Sequence, residues 1–192
     1  NQPLAPETVQ GIMSHTGFTS GPDGHTYFER TDGTPGRLER SVDLIATGPR
    51  PDPDEPLISQ ISRWDKLKDM KGVLEAFVEG VAPSHPGHLV LAGPSVASVD
   101  DDPEGADVLA DVWARWRSLP YSMRRRVTLA CLPMDDLDEN AVMVNALQRR
   151  SAIVVQKSLA EGFGLTVAEA MIKSRPVVAS NVGGIADQIT DG

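Results

Sequence analysis

The sequence predicts an α/β fold, a doubly wound parallel sheet covered by helices, behind an irregular Gly/Pro-rich N-terminal segment. Three observations carry this. From Pro56 onward, short apolar runs alternate with longer stretches that repeat at helical spacing. The short runs are continuously apolar, as in strands buried on both faces, and do not alternate with polar residues. Right-handed crossovers between such strands then lead to a spatial order of 3-2-1-4-5. A chain of 192 residues, 40% of them hydrophobic, has enough material for one substantial core.

Each element has its own signal. Residues 1–12 hold a short helix candidate, opened by Pro6, Glu7 and Thr8, with Val9 and Ile12 as apolar positions. Between His15 and Pro56, glycines and prolines crowd in. Gly21-Pro22-Asp23-Gly24 reads as the turn of a small hairpin, with a mobile surface loop as the alternative. Pro51-Asp52-Pro53 closes the segment as a stiff linker. The first strand is Leu57–Ser62. Lys71–Val81 is a helix with Val73, Leu74, Phe77, Val78 and Val81 on one stripe. His88–Ala92 is the second strand, and Gly93-Pro94 stops it. Glu104–Leu119 is a helix with Val108, Leu109, Val112, Trp113 and Trp116 on one face. Val127–Leu132 is the third strand, Asn140–Arg149 a helix, Ala152–Gln156 the fourth strand, Leu165–Ile172 a helix and Pro176–Ser180 the fifth strand. This divides the chain into a segment 1–50 and a sheet domain 51–192. The domain is incomplete at its C-terminus, where the helix-like IADQI runs into the end, and both ends look like cuts inside a longer protein.

Bulk properties exclude several functions. A formal net charge of -9 argues against a nucleic-acid partner. No apolar run approaches the roughly 20 residues that span a bilayer, so no membrane partner is expected. Cys131 is the single cysteine, which precludes an internal disulfide and fits a cytoplasmic location.

The chemistry gathers between Ser158 and Gly184. Glu161 and Glu169 lie eight positions apart, with Gly162-Phe163-Gly164 between them as a bend that opens a helix. Such a bend leaves unpaired N–H groups and makes an anion site. Carboxylates beside it suit a ligand with hydroxyls at both ends and a diphosphate in the middle. In a doubly wound sheet, ligands sit beyond the carboxyl ends of the strands at the switch point. The residues after the first strand, Arg63-Trp64-Asp65-Lys66-Leu67-Lys68-Asp69, therefore converge with Glu161 and the glycine bend. An Arg with a Lys can neutralise a diphosphate, the Arg through a forked contact and the Lys as a point charge.

The segments ISRWDKLKD, LAGPSVASVDDDPEG, VNALQRRSAIVVQKSLAEGFGLTVAEA and PVVASNVGGI carry a resemblance. From Ile58 to Gly184, about two-thirds of the chain, the sequence resembles the Rossmann-like C-terminal domain of retaining glycosyltransferases of the two-domain GT-B type (family 4 type). Within that family it is most similar to nucleotide-sugar trehalose synthases and retaining trehalose phosphorylases. The long Gly/Pro-rich segment before Pro51 departs from that pattern.

The resemblance implies a division of labour. Arg63 and Lys68 meet the donor diphosphate and stabilise the leaving group. Lys68 rather than Lys66 fits the family spacing. Glu161, with the N–H groups of Gly162, Phe163 and Gly164, holds the transferred glucose. Leu165 and Thr166 offer N–H groups to the phosphates, and Glu169 accepts from the ribose hydroxyls. A base is expected near Cys131–Pro133. No cofactor and no metal are implied, since a nucleotide-diphosphate glucose is the donor substrate. The acceptor is a sugar, and the missing N-terminal domain of the same enzyme would supply its site. A homo-oligomer is left open. A phosphorylase on the same scaffold and a non-catalytic nucleotide-sugar-binding fragment are the rival readings.

Structural explanations compete at each position. The two glutamates could be ordinary helix-start acids, Arg63 and Lys68 solvated loop charges, and Gly183-Gly184 a tight turn. Asp100-Asp101-Asp102 with Glu104 reads as a solvated, helix-capping loop rather than a cation site. Trp113 and Trp116 read as helix-packing residues, and Cys131 as a packed strand residue. His15, His25, His85 and His88 show no ligand spacing.

Overall fold

The computed structural model describes residues 2–22, 24–96 and 103–190. The chain opens with α1 (Pro6–His15) and three short strands, β1 (Tyr27–Glu29), β2 (Pro35–Arg37) and β3 (Asp43–Ile45). The regular alternation follows as β4 (Leu57–Ile61), α2 (Met70–Ala76), β5 (His88–Pro94) and α3 (Pro103–Arg117). Next come the one-turn α4 (Tyr121–Arg124), β6 (Val127–Leu132), α5 (Leu137–Arg150), β7 (Ile153–Gln156), α6 (Leu165–Ile172) and β8 (Val177–Ala179). The expected Asp100-Asp101-Asp102 loop lies outside the described residues.

The five strands from β4 onward are parallel and lie side by side as β6-β5-β4-β7-β8. This is the expected order of 3-2-1-4-5. Solid apolar stretches such as Leu89-Val90-Leu91-Ala92 and Val127 to Leu132 are buried along their whole length, because helices cover both faces. On one face, α1 and α5 pack through Ile12, Met13, Met143 and Leu147 against Leu57, Val90 and Ala130. On the other, α2 and α3 pack through Leu74, Phe77, Val112 and Trp116 against Leu89, Leu91 and Leu129. Cys131 belongs to that second core, and burial pushes its thiol up to about 11.

The segment before residue 51 differs from expectation in three ways. It contains a hairpin, but the turn is at residues 31–34 rather than 21–24. Asp32 Oδ1 accepts from the Thr34 N–H at 2.9 Å and from the Thr34 hydroxyl at 2.6 Å, a side-chain turn that closes β1 onto β2. The segment is also not a loose loop. Phe18, Phe28, Leu38 and Val42 are buried in the first core, and Arg40 Nη1 lies 2.9 Å from Oε1 of the buried Glu139. Finally, β3 pairs antiparallel with β6 and adds a sixth strand at the sheet's edge. A three-residue strand with the sequence Asp-Leu-Ile carries too little period to announce itself.

Smaller differences have local causes. The expected helix to Val81 changes to a π-turn at Phe77–Val81, where the Ala82 N–H reaches the Phe77 carbonyl at 2.8 Å. Helix α5 starts three residues early because Asp136 caps it, accepting from the Asp138 and Glu139 N–H groups at 3.0 and 3.1 Å. Trp116 is buried with its indole N–H on the Val127 carbonyl at 3.0 Å, but Trp113 is exposed beneath the Arg117 guanidinium. At IADQI, expected as helix, a 3-10 turn, Gly183–Ile185, ends at the first residue and residues 186–188 form a turn. His88 is buried, its Nε2 2.8 Å from the Thr128 hydroxyl, and burial with the nearby Arg126 charge drives its imidazole down to about 4.

Candidate functional site

Strands β4 and β7 are neighbours at the point where the strand order reverses, so the loops leaving their carboxyl ends face each other. In the loop after β4, Trp64 is the anchor. It is buried, and its indole N–H donates to the Pro94 carbonyl at 3.0 Å. Asp65 then accepts from the Leu67 N–H at 2.7 Å and caps a 3-10 turn, Lys66–Lys68. The same carboxylate receives Arg63 Nη2 at 2.9 Å. Arg63 is 68% exposed, so its guanidinium is held at the rim with most of its surface in solvent. Asp69 takes a left-handed backbone at φ 42 and caps α2, accepting from the Gly72 N–H at 3.0 Å.

The loop after β7 meets this one across the rim. The Leu159 N–H bonds the Leu67 carbonyl at 2.8 Å. Lys68 Nζ lies 2.5 Å from Glu161 Oε2, and the Ser158 hydroxyl reaches the same oxygen at 3.2 Å. A second ion pair joins Lys157 to Asp69. Burial pushes the Glu161 carboxyl upward. The Lys68 hydrogen bond and charge, the Ser158 hydroxyl and the Gly162 N–H outweigh it, and the group sits below its usual range. Glu161 is therefore an ionised acceptor near neutral pH and not a proton donor.

Under both loops lies Gln60, on β4 and fully buried. Its Nε2 donates to the Lys68 carbonyl at 2.6 Å, and its Oε1 accepts from the Lys157 N–H at 2.8 Å. One amide thus fixes the backbone of the residues that carry Lys68 and Lys157.

The glycine bend is shaped by a second turn. Gly164 has φ 87 and opens α6 with no side-chain cap, so the N–H groups of Leu165 and Thr166 have no partner within the helix. Gly183 has φ 51, and a Cβ there would lie 1.7 Å from the Glu161 carbonyl oxygen. A Cβ on Gly184 would lie 2.5 Å from the Gly162 carbonyl oxygen, which instead accepts from the Gly184 N–H at 3.0 Å. The glycine pair is thus more than a tight turn: it allows the backbone at residue 183 to lie directly on Glu161. Phe163, 58% exposed, stands at the surface of the bend.

Of the residues singled out in the sequence, the structure joins Lys68, Glu161 and Gly162 by contact. It holds Arg63 to the same loop through Asp65 and sets Phe163, Gly164, Leu165 and Thr166 at the head of α6. Glu169 lies farther down α6 and is bonded elsewhere: Gln148 Nε2 donates to its Oε2 at 3.2 Å. Gln60, Asp65, Asp69 and Lys157 were not singled out. Lys157 stood in the QKS run, but its Asp69 partner is 88 positions away and no local spacing reports it.

Comparison with known proteins shows what the chain is similar to. Residues 139–192 match the family model described as glycosyl transferases group 1. The chain is 39% identical over 142 residues to a trehalose synthase of Pyrococcus horikoshii, covering 73% of this chain and 31% of that protein. It is 38% identical over 142 residues, with the same two coverages, to a trehalose synthase of Rubrobacter xylanophilus. The chain therefore spans about a third of the length of these relatives. Among solved structures, a sucrose-phosphate synthase from Thermosynechococcus elongatus superposes with a TM-score of 0.53 at 26% identity, over 72% of this chain and 31% of that one.

Proposed function

We propose, for a chain whose residues 139–192 are a glycosyl transferases group 1 domain, that it is the donor-binding part of a retaining glucosyltransferase. In this reading, the bond between the glucose anomeric carbon and the donor diphosphate breaks. The electron pair leaves with the nucleotide diphosphate, and the acceptor hydroxyl adds to the same face of the sugar and loses its proton. Arg63 and Lys68 stabilise the departing diphosphate. Glu161 and the glycine bend orient the glucose, the N–H groups of Leu165 and Thr166 receive phosphate oxygens, and Glu169 accepts from the ribose. Glucose as acceptor would give trehalose. The relatives named trehalose synthase support that choice of sugar.

The observation that carries the reading is the 2.5 Å contact between Lys68 and Glu161 beside the open head of α6. A cation for phosphate and an anion for hydroxyls share one rim. The test is calorimetry of the 192-residue chain with nucleotide-diphosphate glucoses of different bases. Binding that weakens in both Lys68→Ala and Glu161→Gln is expected. No binding of any such donor would overturn the assignment. In the full-length protein, phosphate-dependent cleavage of trehalose without nucleotide-dependent synthesis would make it a phosphorylase instead.

A further inference from the structure

A cavity of about 750 Å³ lies at the opposite end of the sheet from the glycine bend. Its wall combines Arg149 and Arg150, at the end of α5, with Lys173 and Arg175, in the connection from α6 to β8. Four cations around one cavity is an unusual concentration in a protein of net charge -9. Asp54 is the single acidic residue in the wall.

The arginines are held by neutral groups. Arg149 bonds the Asn145 side-chain oxygen at 3.0 Å and the Gln2 carbonyl at 3.1 Å. Arg150 bonds the Glu55 carbonyl at 2.7 Å and the Pro53 carbonyl. Arg175 bonds the Lys173 carbonyl at 3.3 Å. Among the described residues, none of these three guanidiniums has a carboxylate oxygen within 4.0 Å. Each guanidinium carries five N–H donors, so one or two bonds to neutral acceptors leave donors and nearly the whole charge available. Backbone carbonyls fix the position of the arginines, with Asp54 and Glu55 acting on Arg150 only at longer range, and fixed donors of this kind preorganise an anion site.

Lys173 reinforces the field. It is buried, and its Nζ donates to Gln148 Oε1 at 2.5 Å. Burial lowers its pKa and the nearby Arg149 charge lowers it further, while Glu169 acts in the opposite direction. The other wall of the cavity is formed by α1, with Val9 and Met13 as apolar surface and Gln10 as a polar one.

We infer that this cavity binds a small phosphorylated molecule, with the phosphate held by Arg149, Arg150 and Arg175 and the remainder seated against Val9 and Met13. Several forked guanidiniums match a dianion with three terminal oxygens better than a single carboxylate. The volume exceeds what inorganic phosphate fills, which points to a phosphate ester or a diphosphate. The inference does not rest on the donor site, which lies at the other end of the strands.

The experiment uses the 192-residue chain and pyrophosphate as probe, with inorganic phosphate and citrate as comparators. Arginine Nε–Hε resonances are followed by NMR, and affinity by calorimetry. Pyrophosphate is expected to shift the signals of Arg149, Arg150 and Arg175. The double variant Arg149→Gln/Arg175→Gln is expected to weaken the pyrophosphate binding at this cavity at least tenfold, read at the remaining Arg150 signal. If those three signals stay still in the unaltered chain, the site does not exist, and this readout stands even if the double variant fails to fold. Tighter binding of citrate than of pyrophosphate at the three arginines would also overturn the proposal. Nucleotide-sugar binding measured on the same variants is expected to survive the arginine changes, so the two sites succeed or fail separately.

Discussion

The Nζ of Lys68 lies 2.5 Å from Oε2 of Glu161, a residue 93 positions later in the chain. The two side chains are 16% and 13% exposed, so the pair is mostly withdrawn from water. The lysine therefore helps to keep the Glu161 carboxyl ionised. Under the proposed function, a donor arriving between them would exchange one interaction for two, phosphate with the lysine and sugar hydroxyl with the carboxylate.

Replacing Lys68 by Met should move the Glu161 carboxyl upward. Burial then remains while the largest opposing influence is gone. Carboxyl-carbon NMR titration measures this directly. The sign for stability follows: Glu161 is depressed below 4.5 in the folded chain, so the pair stabilises above that pH and loses its effect as pH falls through the folded value. The gap in unfolding free energy between the native chain and Lys68→Met should be present at pH 7 and shrink below pH 4.5. A gap that does not change with pH would remove the ion pair as its cause. Under the proposed function, Lys68→Ala and Arg63→Ala in the full-length protein should each lower turnover by more than nucleoside affinity.

Glu169→Ala should have two separable effects. Donor affinity should fall by roughly 1.5–3 kcal/mol, the range for hydrogen bonds to a charged group. Stability should fall by about 1–3 kcal/mol, because the fully buried Gln148 loses the acceptor for its Nε2. Calorimetry with a nucleotide-diphosphate glucose reads the first and urea unfolding the second. A stability loss with unchanged donor affinity would leave Glu169 a purely structural residue.

Two neighbouring glycines should respond differently to alanine. Gly183→Ala puts a methyl group 1.7 Å from the Glu161 carbonyl oxygen at a residue of φ 51. The left-handed backbone costs about 1–2 kcal/mol and the overlap about 1–3 kcal/mol more. Gly162→Ala meets nothing within 4 Å and should change stability by less than about 1 kcal/mol. Melting temperatures of the two variants check this. Equal losses would mean that close packing is not what the glycine pair is for.

His88 should give the fold a pH dependence outside the rim. Its imidazole is depressed from 6.5 to about 4, chiefly by burial. The unfolded chain takes up the proton first, so stability is fullest above pH 6.5 and declines as pH falls toward 4. The total is about 3 kcal/mol if the shift is fully expressed. Urea unfolding at stepped pH should show a flatter curve between pH 6.5 and 5 for His88→Gln. Parallel curves would mean that the buried ring titrates normally.

The parallel sheet was legible because Leu89 to Ala92 is a solid apolar run and Leu57 to Ile61 and Val127 to Leu132 are largely apolar, and burial on both faces leaves that mark. Helix α6 was legible to the residue because Gly164 and the Leu165-to-Ile172 stretch bound it on local chemistry alone. Strand β3 was not, since pairing with β6 comes from the edge of the sheet and not from Asp43-Leu44-Ile45 itself. The hairpin turn was misplaced because Gly21-Pro22-Asp23-Gly24 is the stronger turn composition, while the side chain of Asp32 decides the outcome. At the rim, residue types and their place after β4 and β7 pointed to Arg63, Lys66, Lys68, Glu161 and the glycine bend, and the family resemblance chose Lys68 over Lys66. They could not point to Gln60, whose importance lies in reaching two backbones at once.

The fit of residues 183 and 184 onto residues 161 and 162 has a mechanical consequence. With no space for even one methyl group between them, and with Gln188 Nε2 donating to the Phe163 and Gly184 carbonyls, the two stretches cannot slide independently. Any displacement imposed on Glu161 must carry the start of the following turn with it as one body. The stretch from Gly183 to Gln188 would then act as a lever whose position reports occupancy at the rim.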